Sequence, residues 1–300
     1  MAAKTAAMHE NYLSSAIVPK LGAMLVADVT GADVVTMIES VKRPWITSSY
    51  ILNTTRRLFS HAIGKRIITT SPCAGIEISA ILGPKPSRRP RVMLTDVELR
   101  AIFACIDSMG RQNGLNFRVQ LATGVRSGEL CRSMWDEFDL DAGVWTIPKG
   151  RIKTRASNPR AFKIPLAVEV VAWLKELKDI AGLSPYVLPG RQEQRAESHQ
   201  AENTFGAAVE RFQLANPDIC QRFTPHDLRS TARSHMGALG VASDIAERAL
   251  NHVIPGMEGV YDKGDYFPER KQALELWARF LATCERGEGW NVIPIARKTG

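Results

Sequence analysis

The sequence predicts a mainly α-helical fold with a small antiparallel β-sheet, an α+β chain in two folded parts. Three observations predict it. Apolar residues recur at helical spacing along most of the chain. Two short β-patterned runs, Val144–Pro148 and Ala161–Pro165, flank a basic turn. The segment Gly83-Pro84-Lys85-Pro86-Ser87-Arg88-Arg89-Pro90-Arg91 puts three prolines into seven residues, where no helix can continue.

The 300 residues are 45% hydrophobic and 23% charged, which excludes a disordered or collagen-like chain and is enough to bury a core without disulfides or metals. At roughly 150 residues per domain the length suggests about two domains. The most apolar early stretch, Ala16 to Ala27, is broken by Pro19 and Lys20, so it makes a poor signal peptide, and no run approaches the ~18 residues of a membrane span.

In chain order, Thr30-x-x-Asp33 resembles an N-cap and opens the first predicted helix, carrying Val34, Val35, Met37 and Ile38. A second helix is expected over about Ser48–Ala62, with Ile51, Leu58, Phe59 and Ala62 facing a core. Arg56 and Arg57 lie on its other side, and Lys65 and Arg66 follow Gly64. The proline-rich segment marks a domain boundary, and Thr95-x-x-Glu98 beyond it is a capping-box pattern. Helices are expected over about Thr95–Met109 and Asn116–Leu121. The two strands follow, with Lys149-Gly150-Arg151-Ile152-Lys153-Thr154-Arg155 as a basic hairpin between them. An amphipathic helix over Ala167–Ala181 stops at Gly182, and Tyr186 reads as part of a core strand. Residues 191–203 are polar and read as a loop. Helices then dominate to about Leu281, with Pro268 suited to a first turn and Leu274, Trp277 and Leu281 at helical spacing.

The charge is unevenly spread. Lys and Arg number 39 against 31 Asp and Glu, a net +8 and a pI near 9.4, the electrostatic footprint of a nucleic-acid binder. Residues 1–80 carry 8 basic and 5 acidic side chains. Residues 81–93 carry Lys85, Arg88, Arg89 and Arg91 with no acid, and the remaining 207 residues are nearly neutral, 27 against 26. The positive field therefore concentrates ahead of residue 94, and Arg56, Arg57, Lys65, Arg66, Arg88, Arg89 and Arg91 are the candidate DNA contacts. One basic pair is ordinarily a solvated helix face; two pairs near one helix end beside a basic linker favour a DNA-facing surface. The five cysteines are never closer than 26 residues, so no CxxC pattern exists, and an odd, scattered set reads as reduced thiols of a cytosolic protein. The histidines show no metal-ligand spacing.

Four features need a joint explanation. Arg126 sits in Thr123-Gly124-Val125-Arg126-Ser127-Gly128-Glu129, and Lys153 in the basic hairpin. His226-Asp227-Leu228-Arg229 follows Pro225, and Leu250-Asn251-His252 precedes Tyr261 by nine residues. Singly each is weak: an arginine is usually a surface residue, a tyrosine usually packs, and a hairpin lysine is usually solvated.

Together, in this order within 136 residues, they resemble the tyrosine recombinase (phage integrase) family over about Leu94 to Leu281. The arginine box looks like TG-x-R-x-x-E. Trp145-Thr-Ile-Pro, Arg151-Ile-Lys153 and Ile164-Pro-Leu look like the hairpin of the catalytic lysine. Pro225-His226-Asp-Leu-Arg229 looks like the His-x-x-Arg box. Gly259-Val-Tyr261-Asp looks like the nucleophile segment, and Val260-Tyr261-Asp262-Lys263-x-Asp265-Tyr266 with Arg270 and Trp277 looks like the prophage and genomic-island branch. Asn251 stands where the family usually has glycine, with the imidazole unchanged.

The resemblance implies a helical core-binding domain at residues 1–82, a basic linker at 83–93, a catalytic domain at 94–286 and a tail at 287–300. That branch also carries an N-terminal arm-binding domain, which this chain is expected to lack. The implied activity is site-specific DNA recombination through a 3′-phosphotyrosine, integrating or excising a mobile element. A type IB topoisomerase-like strand transferase is the alternative.

The chemistry fits those residues. Phosphodiester cleavage without a metal needs a nucleophile, cationic donors for the phosphate oxygens and an acid for the leaving oxygen. Arg126 and Arg229 supply bidentate guanidinium forks. Tyr261, a phenol of pKa ~10, must lose its proton in the transition state, and by the resemblance His226 accepts it. Lys153 protonates the 5′-oxygen, His252 hydrogen-bonds the phosphate, and Glu129 orients basic neighbours. Tyr266 is the rival nucleophile, disfavoured by the spacing from His252. No metal or cofactor is expected. The expected partners are double-stranded DNA at attachment sites, further copies of the chain in a tetramer on DNA, and directionality or host bending factors, in the bacterial cytoplasm and with no membrane.

Overall fold

The computed structural model describes residues 3–152, 160–190, 198–252 and 264–290. The chain divides into two compact units, Met1–Arg89 and Pro90–Gly300, and the division falls inside the proline-rich segment.

The first unit is helical. The first helix marked by a cap in the sequence begins at Thr30, but the structure has one before it: α1 (Ala3–Tyr12) continues through a π-helical stretch, Leu13–Ile17, into a final turn, Val18–Leu21. Pro19 sits in the first turn of that last piece, where a missing N–H costs little. Ala16, Ile17 and Leu21 are buried while Lys20 is exposed, so the interruptions that hid the helix lie on its outer side. Helix α2 (Gly31–Ser40) opens with a reciprocal capping box between Thr30 and Asp33. Helix α3 (Trp45–Gly64) starts at Pro44 and exceeds the expected Ser48–Ala62 by a few residues at each end. It buries Ile51, Leu52 and Phe59 in one cluster with Val34, Met37 and Ile38, and Ala62 is buried as well. Leu58, expected inside with them, is 44% exposed, because it lies at the edge of the buried stripe and borders an apolar hollow. A short helix, α4 (Ile78–Leu82), closes the unit, and Trp45 Nε1 donates to the Gly83 carbonyl at 3.0 Å.

The second unit packs helices around a small sheet. Helix α5 (Asp96–Cys105) carries the expected capping box of Thr95 and Glu98, and the stretch to Met109 is a 3₁₀ turn. Helix α6 (Arg111–Thr123) is buried nearly throughout, and α7 (Ser127–Cys131) follows after a sharp turn at Gly124. Strands β1 (Phe138–Asp139), β2 (Val144–Ile147) and β3 (Phe162–Pro165) form an antiparallel sheet in that order, with Trp145 opposite Ile164. Helix α8 (Val168–Ala181) ends at Gly182, whose φ of 58° suits glycine. Tyr186 corrects an expectation: it makes one isolated bridge with Met134 and is half-buried, while its neighbours Val187 and Leu188 enter the core. Helices α9 (Thr204–Ala215), α10 (Asp227–Ala238), α11 (Ser243–Ala249) and α12 (Phe267–Glu285) complete the unit, with Pro268 in the first turn of α12.

Trp277 is fully buried and donates to the Leu121 carbonyl at 2.9 Å, stacking on His235. Trp290 packs edge-on against Phe280 of the same unit, 5.6 Å between centroids, so the tail begins by docking on its own domain. Residues 291–300 lie outside the described part. No helix among the described residues is long and apolar enough to cross a membrane.

Candidate active site

The site is assembled at helix ends in the second unit. Gly124 caps α6 in the left-handed region, φ 61°, and a Cβ there would collide with the Leu250 side chain. The turn this permits carries the chain into α7 with Arg126 as its N-cap residue. The Arg126 backbone N–H donates to Glu129 Oε2 and its guanidinium Nη1 to Oε1, both at 3.0 Å. Glu129 is buried, so one carboxylate fixes both the turn and the arginine, leaving Arg126 29% exposed. Buried Gln120 joins the first box to the second: its amide donates to Ser127 Oγ at 2.9 Å and to the Pro225 carbonyl at 2.7 Å.

Arg229 is 3% exposed. Its Nη1 donates to the Gly124 carbonyl, and its Nη2 to the Leu250 carbonyl at 2.7 Å and to His252 Nε2 at 2.8 Å. All three acceptors lack formal charge. Burial, then the positive charge of Arg126, pulls its pKa down to about 10, which still leaves it protonated at neutral pH. The charges of Glu129 and Glu247 pull it back up, but the direct acceptors are neutral, and a buried cation so held favours the approach of an anion.

His226 is the residue before α10 and is exposed. Burial of its surroundings, then the charges of Arg91 and Arg229, hold its imidazole below the ordinary histidine range. It is therefore a neutral base at pH 7. Asp227 beside it is fully buried and accepts from the Thr224 backbone at 2.8 Å, the Thr224 hydroxyl at 2.7 Å and the Val92 backbone at 3.3 Å, with Arg91 at 4.0 Å. His252 is also lowered, chiefly by burial, against the upward pull of Glu247. Its Nδ1 lies 2.6 Å from Glu247 Oε2. The field of Arg126 is felt at His226, Arg229 and His252 alike, which places the four in one electrostatic neighbourhood.

Lys153 and Tyr261 lie outside the described residues. What flanks them is described. Arg151, at the start of the hairpin, donates to Glu137 and to the Glu129 carbonyl at 3.3 Å, tying the hairpin base to the first arginine box. Tyr266 lies under the Arg248 guanidinium, 4.3 Å from ring centroid, in a left-handed turn. Its ring is engaged, which disfavours it as the rival nucleophile. Among the described residues no group of three or more His, Cys, Asp or Glu could hold a metal.

The candidate DNA contacts of the first unit differ among themselves. Arg57, Lys65 and Arg66 are exposed. Arg56 is half-buried, donates to the Ile76 carbonyl and lies 3.6 Å from Glu77, so its guanidinium clamps the loop before α4. In the linker Arg88, Arg89 and Arg91 are exposed. The sequence motifs do not single out Glu247, Arg233 or Gln120, and they include Arg151 only as a neighbour of Lys153. Their roles come from contacts between elements and not from a local pattern.

Paired arginines and two histidines held below their ordinary pKa range are gathered at helix ends, a cationic arrangement with the donors to hold an anion. The comparisons agree: the model of the phage integrase family matches residues 93–266, and the chain belongs to that family. It is 25% identical over 288 residues to prophage integrase IntZ of Escherichia coli K12, covering 94% of this chain and 67% of that one. It is 31% identical over 176 residues to the integrase of Enterobacteria phage P4, covering 55% and 39%. The prophage integrase IntA of the same E. coli strain is 28% identical over 172 residues, covering 57% and 39%. The chain thus spans from about two fifths to two thirds of these relatives' length. In fold it is similar to lambda integrase residues 75–356 in a dimer bound to a COC′ core site, with a TM-score of 0.65 at 21% identity over 88% of this chain and 92% of that one. A lambda integrase tetramer bound to a Holliday junction scores 0.63 at 20% identity over 98% and 76%.

Proposed function

We propose that this chain is a site-specific DNA recombinase that cuts and rejoins DNA through a 3′-phosphotyrosine on Tyr261. The observation that carries the reading is Arg229, a buried cation whose hydrogen-bond acceptors are two carbonyls and an imidazole. A scissile phosphate supplies an anion for direct contact with this guanidinium, with Arg126 as the second fork. Tyr261 attacks the phosphorus, His226 takes the phenolic proton, and Lys153 protonates the departing 5′-oxygen. Bond energy is kept in the phosphotyrosine, so rejoining is attack of a 5′-hydroxyl on that ester, without ATP. Neutral His226 suits the acceptor role at pH 7.

Residues 1–82 are assigned to core-site DNA binding, 83–93 to a basic linker, 94–286 to catalysis and 287–300 to a tail. The substrate is double-stranded DNA at attachment sites of a mobile element. Exchange of two duplexes needs four active sites, so four copies act together on DNA, with bending or directionality factors as further partners. The working place is the bacterial cytoplasm, on the nucleoid.

Direct repeats in the DNA flanking the gene supply the test substrate. A nicked suicide duplex carrying that repeat is expected to trap a covalent adduct that protease digestion maps to Tyr261. Relaxation of supercoiled plasmid lacking any repeat would instead favour the topoisomerase-like alternative. Absence of any adduct on repeat-bearing DNA would overturn the reading.

A further inference from the structure

The acceptor that His252 offers to Arg229 has its own support. Arginine only donates, so the 2.8 Å contact between Arg229 Nη2 and His252 Nε2 requires a lone pair on Nε2. The proton of the neutral ring must then sit on Nδ1, and Nδ1 is 2.6 Å from Glu247 Oε2. Glu247 is itself held: Arg233 Nε donates to its Oε1 at 2.7 Å, and Arg233 Nη2 donates to Ser243 Oγ at 2.7 Å. Burial pushes the Glu247 carboxyl up, but the hydrogen bonds from Arg233 and His252 outweigh it and keep the group ionised at neutral pH. A continuous chain of donors and acceptors therefore runs from Ser243 at the start of α11, through Arg233 on α10 and Glu247 on α11, to His252 and the buried guanidinium of Arg229.

We propose that Glu247, anchored by Arg233, is a positioning residue that locks His252 in the Nδ1–H tautomer and through it sets the plane of the Arg229 guanidinium facing the scissile phosphate. The tautomer of a histidine is set by the bond its other nitrogen makes. Without the Glu247 carboxylate the ring has no fixed acceptor for Nδ1–H. It can then carry its proton on Nε2, where N–H would point at a guanidinium N–H. Arg229 would lose one of its three acceptors and turn. The Glu247 carboxylate is taken up by Arg233 and His252, so it acts through His252. The inference rests on the recombinase reading for its consequence in cleavage, and on geometry alone for the tautomer.

The experiment uses the full chain labelled with ¹⁵N-histidine, His252 being assigned by the signal lost in His252→Asn. Native protein is expected to show a protonated Nδ1 and an unprotonated Nε2 on that ring near pH 7.5. Glu247→Ala is expected to lose this signature. On a suicide duplex at saturating protein it should cleave roughly 10–100-fold more slowly, with DNA affinity within about twofold of native, a smaller loss than the ~10⁴ of a triad aspartate because His252 is not the base. Glu247→Gln keeps the side-chain volume and one acceptor oxygen, and should restore the tautomer and most of the rate. It also covers the case in which the alanine variant fails to fold. A native His252 protonated on Nε2 would overturn the proposal, as would native-rate cleavage by Glu247→Ala or a glutamine variant no better than the alanine one. If the native chain cuts no repeat-bearing duplex, it is the recombinase reading that fails, and the NMR signature still decides whether Glu247 sets the tautomer.

Discussion

Arg270 holds Asp265 at two points: its Nε donates to the Asp265 carbonyl at 2.8 Å and its Nη2 to the Asp265 carboxylate at 2.6 Å. The third arm, Nη1, reaches the Lys163 carbonyl on β3 at 2.7 Å, and the guanidinium lies over the rings of Phe162 and Phe267. Only 1% of Arg270 is exposed. One buried cation thus ties the chain just after the nucleophile segment to the strand that ends the lysine hairpin.

Arg270→Ala leaves the Lys163 and Asp265 carbonyls short of donors and empties a packed site. A loss of roughly 2–4 kcal/mol is expected, read as a lower midpoint in urea unfolding. Arg270→Lys should recover little of it, because an ammonium cannot span three acceptors in a plane. A midpoint unchanged by the alanine substitution would mean the two segments are held by other contacts.

Gly124 makes a sharper case. Its φ of 61° is strained for any residue with a Cβ, and that Cβ would also meet Leu250. Gly124→Ala is expected to cost roughly 1–3 kcal/mol and to displace the carbonyl that receives Arg229. Cleavage should therefore fall more than thermal stability alone explains when both are measured well below the melting midpoint. Equal activity per folded molecule would uncouple the turn from the arginine.

The pH dependence has a definite sign. His226 is held below the usual ~6.5, first by burial and then by the charges of Arg91 and Arg229. A depressed pKa keeps the base neutral at lower pH, so the acid limb of the cleavage profile should lie below the usual histidine value. Arg91→Ala removes one of those charges, raises the His226 pKa and moves that limb upward. Arg91 is exposed, so salt screens its charge and the upward move should be clearest at low ionic strength. A limb that stays in place at low ionic strength, or moves down, would mean another group titrates.

Tyr261→Phe should abolish covalent adduct while leaving DNA affinity within about twofold, since the phenolic oxygen is the attacking atom and adds little to binding. Tyr266→Phe keeps the ring that Arg248 covers and should cut normally. An adduct formed by the Tyr261 variant would move the assignment to Tyr266.

The parts of this architecture that were legible in the sequence are those encoded within a few residues. Thr30 with Asp33 and Thr95 with Glu98 form the capping boxes their spacing implies. The two strands pair as antiparallel neighbours within one residue of their expected ends. The arginine and histidine boxes are local motifs, and Arg126, His226, Arg229 and His252 share one electrostatic neighbourhood. What stayed hidden depends on partners far along the chain. Helix α1 was masked because Pro19 and Lys20 break the apolar run, and only the π-helical turn and the burial of Ile17 and Leu21 show which side faces inward. Glu247 reads in sequence as one more charge on a solvated helix; its partners Arg233 and His252 are 14 and 5 residues away. Tyr186 follows a β-rich pattern, yet its segment makes isolated bridges, Tyr186 with Met134 and Pro189 with His199, and no named strand.

The same contrast between pattern and partner separates the basic residues of the first unit. Arg56 and Arg57 are adjacent and look equivalent, but Arg56 donates to the Ile76 carbonyl and sits 3.6 Å from Glu77, while Arg57, Lys65 and Arg66 are exposed. A phosphate contact releases counterions, and log K then falls with log salt by ~0.9 per phosphate neutralised. Replacing Arg57, Lys65 and Arg66 with alanine is expected to flatten that slope by about 2–3 if each neutralises one phosphate. Arg56→Ala is expected to leave the slope unchanged and instead lower stability by roughly 1–2 kcal/mol, because the Ile76 carbonyl loses its donor. The two effects are read on separate axes, filter binding across a salt series and thermal unfolding without DNA. A flatter slope for Arg56→Ala with native stability would return this arginine to the DNA surface. An unchanged slope for the triple variant would take Arg57, Lys65 and Arg66 out of the interface and leave Arg88, Arg89 and Arg91 as its basic contacts.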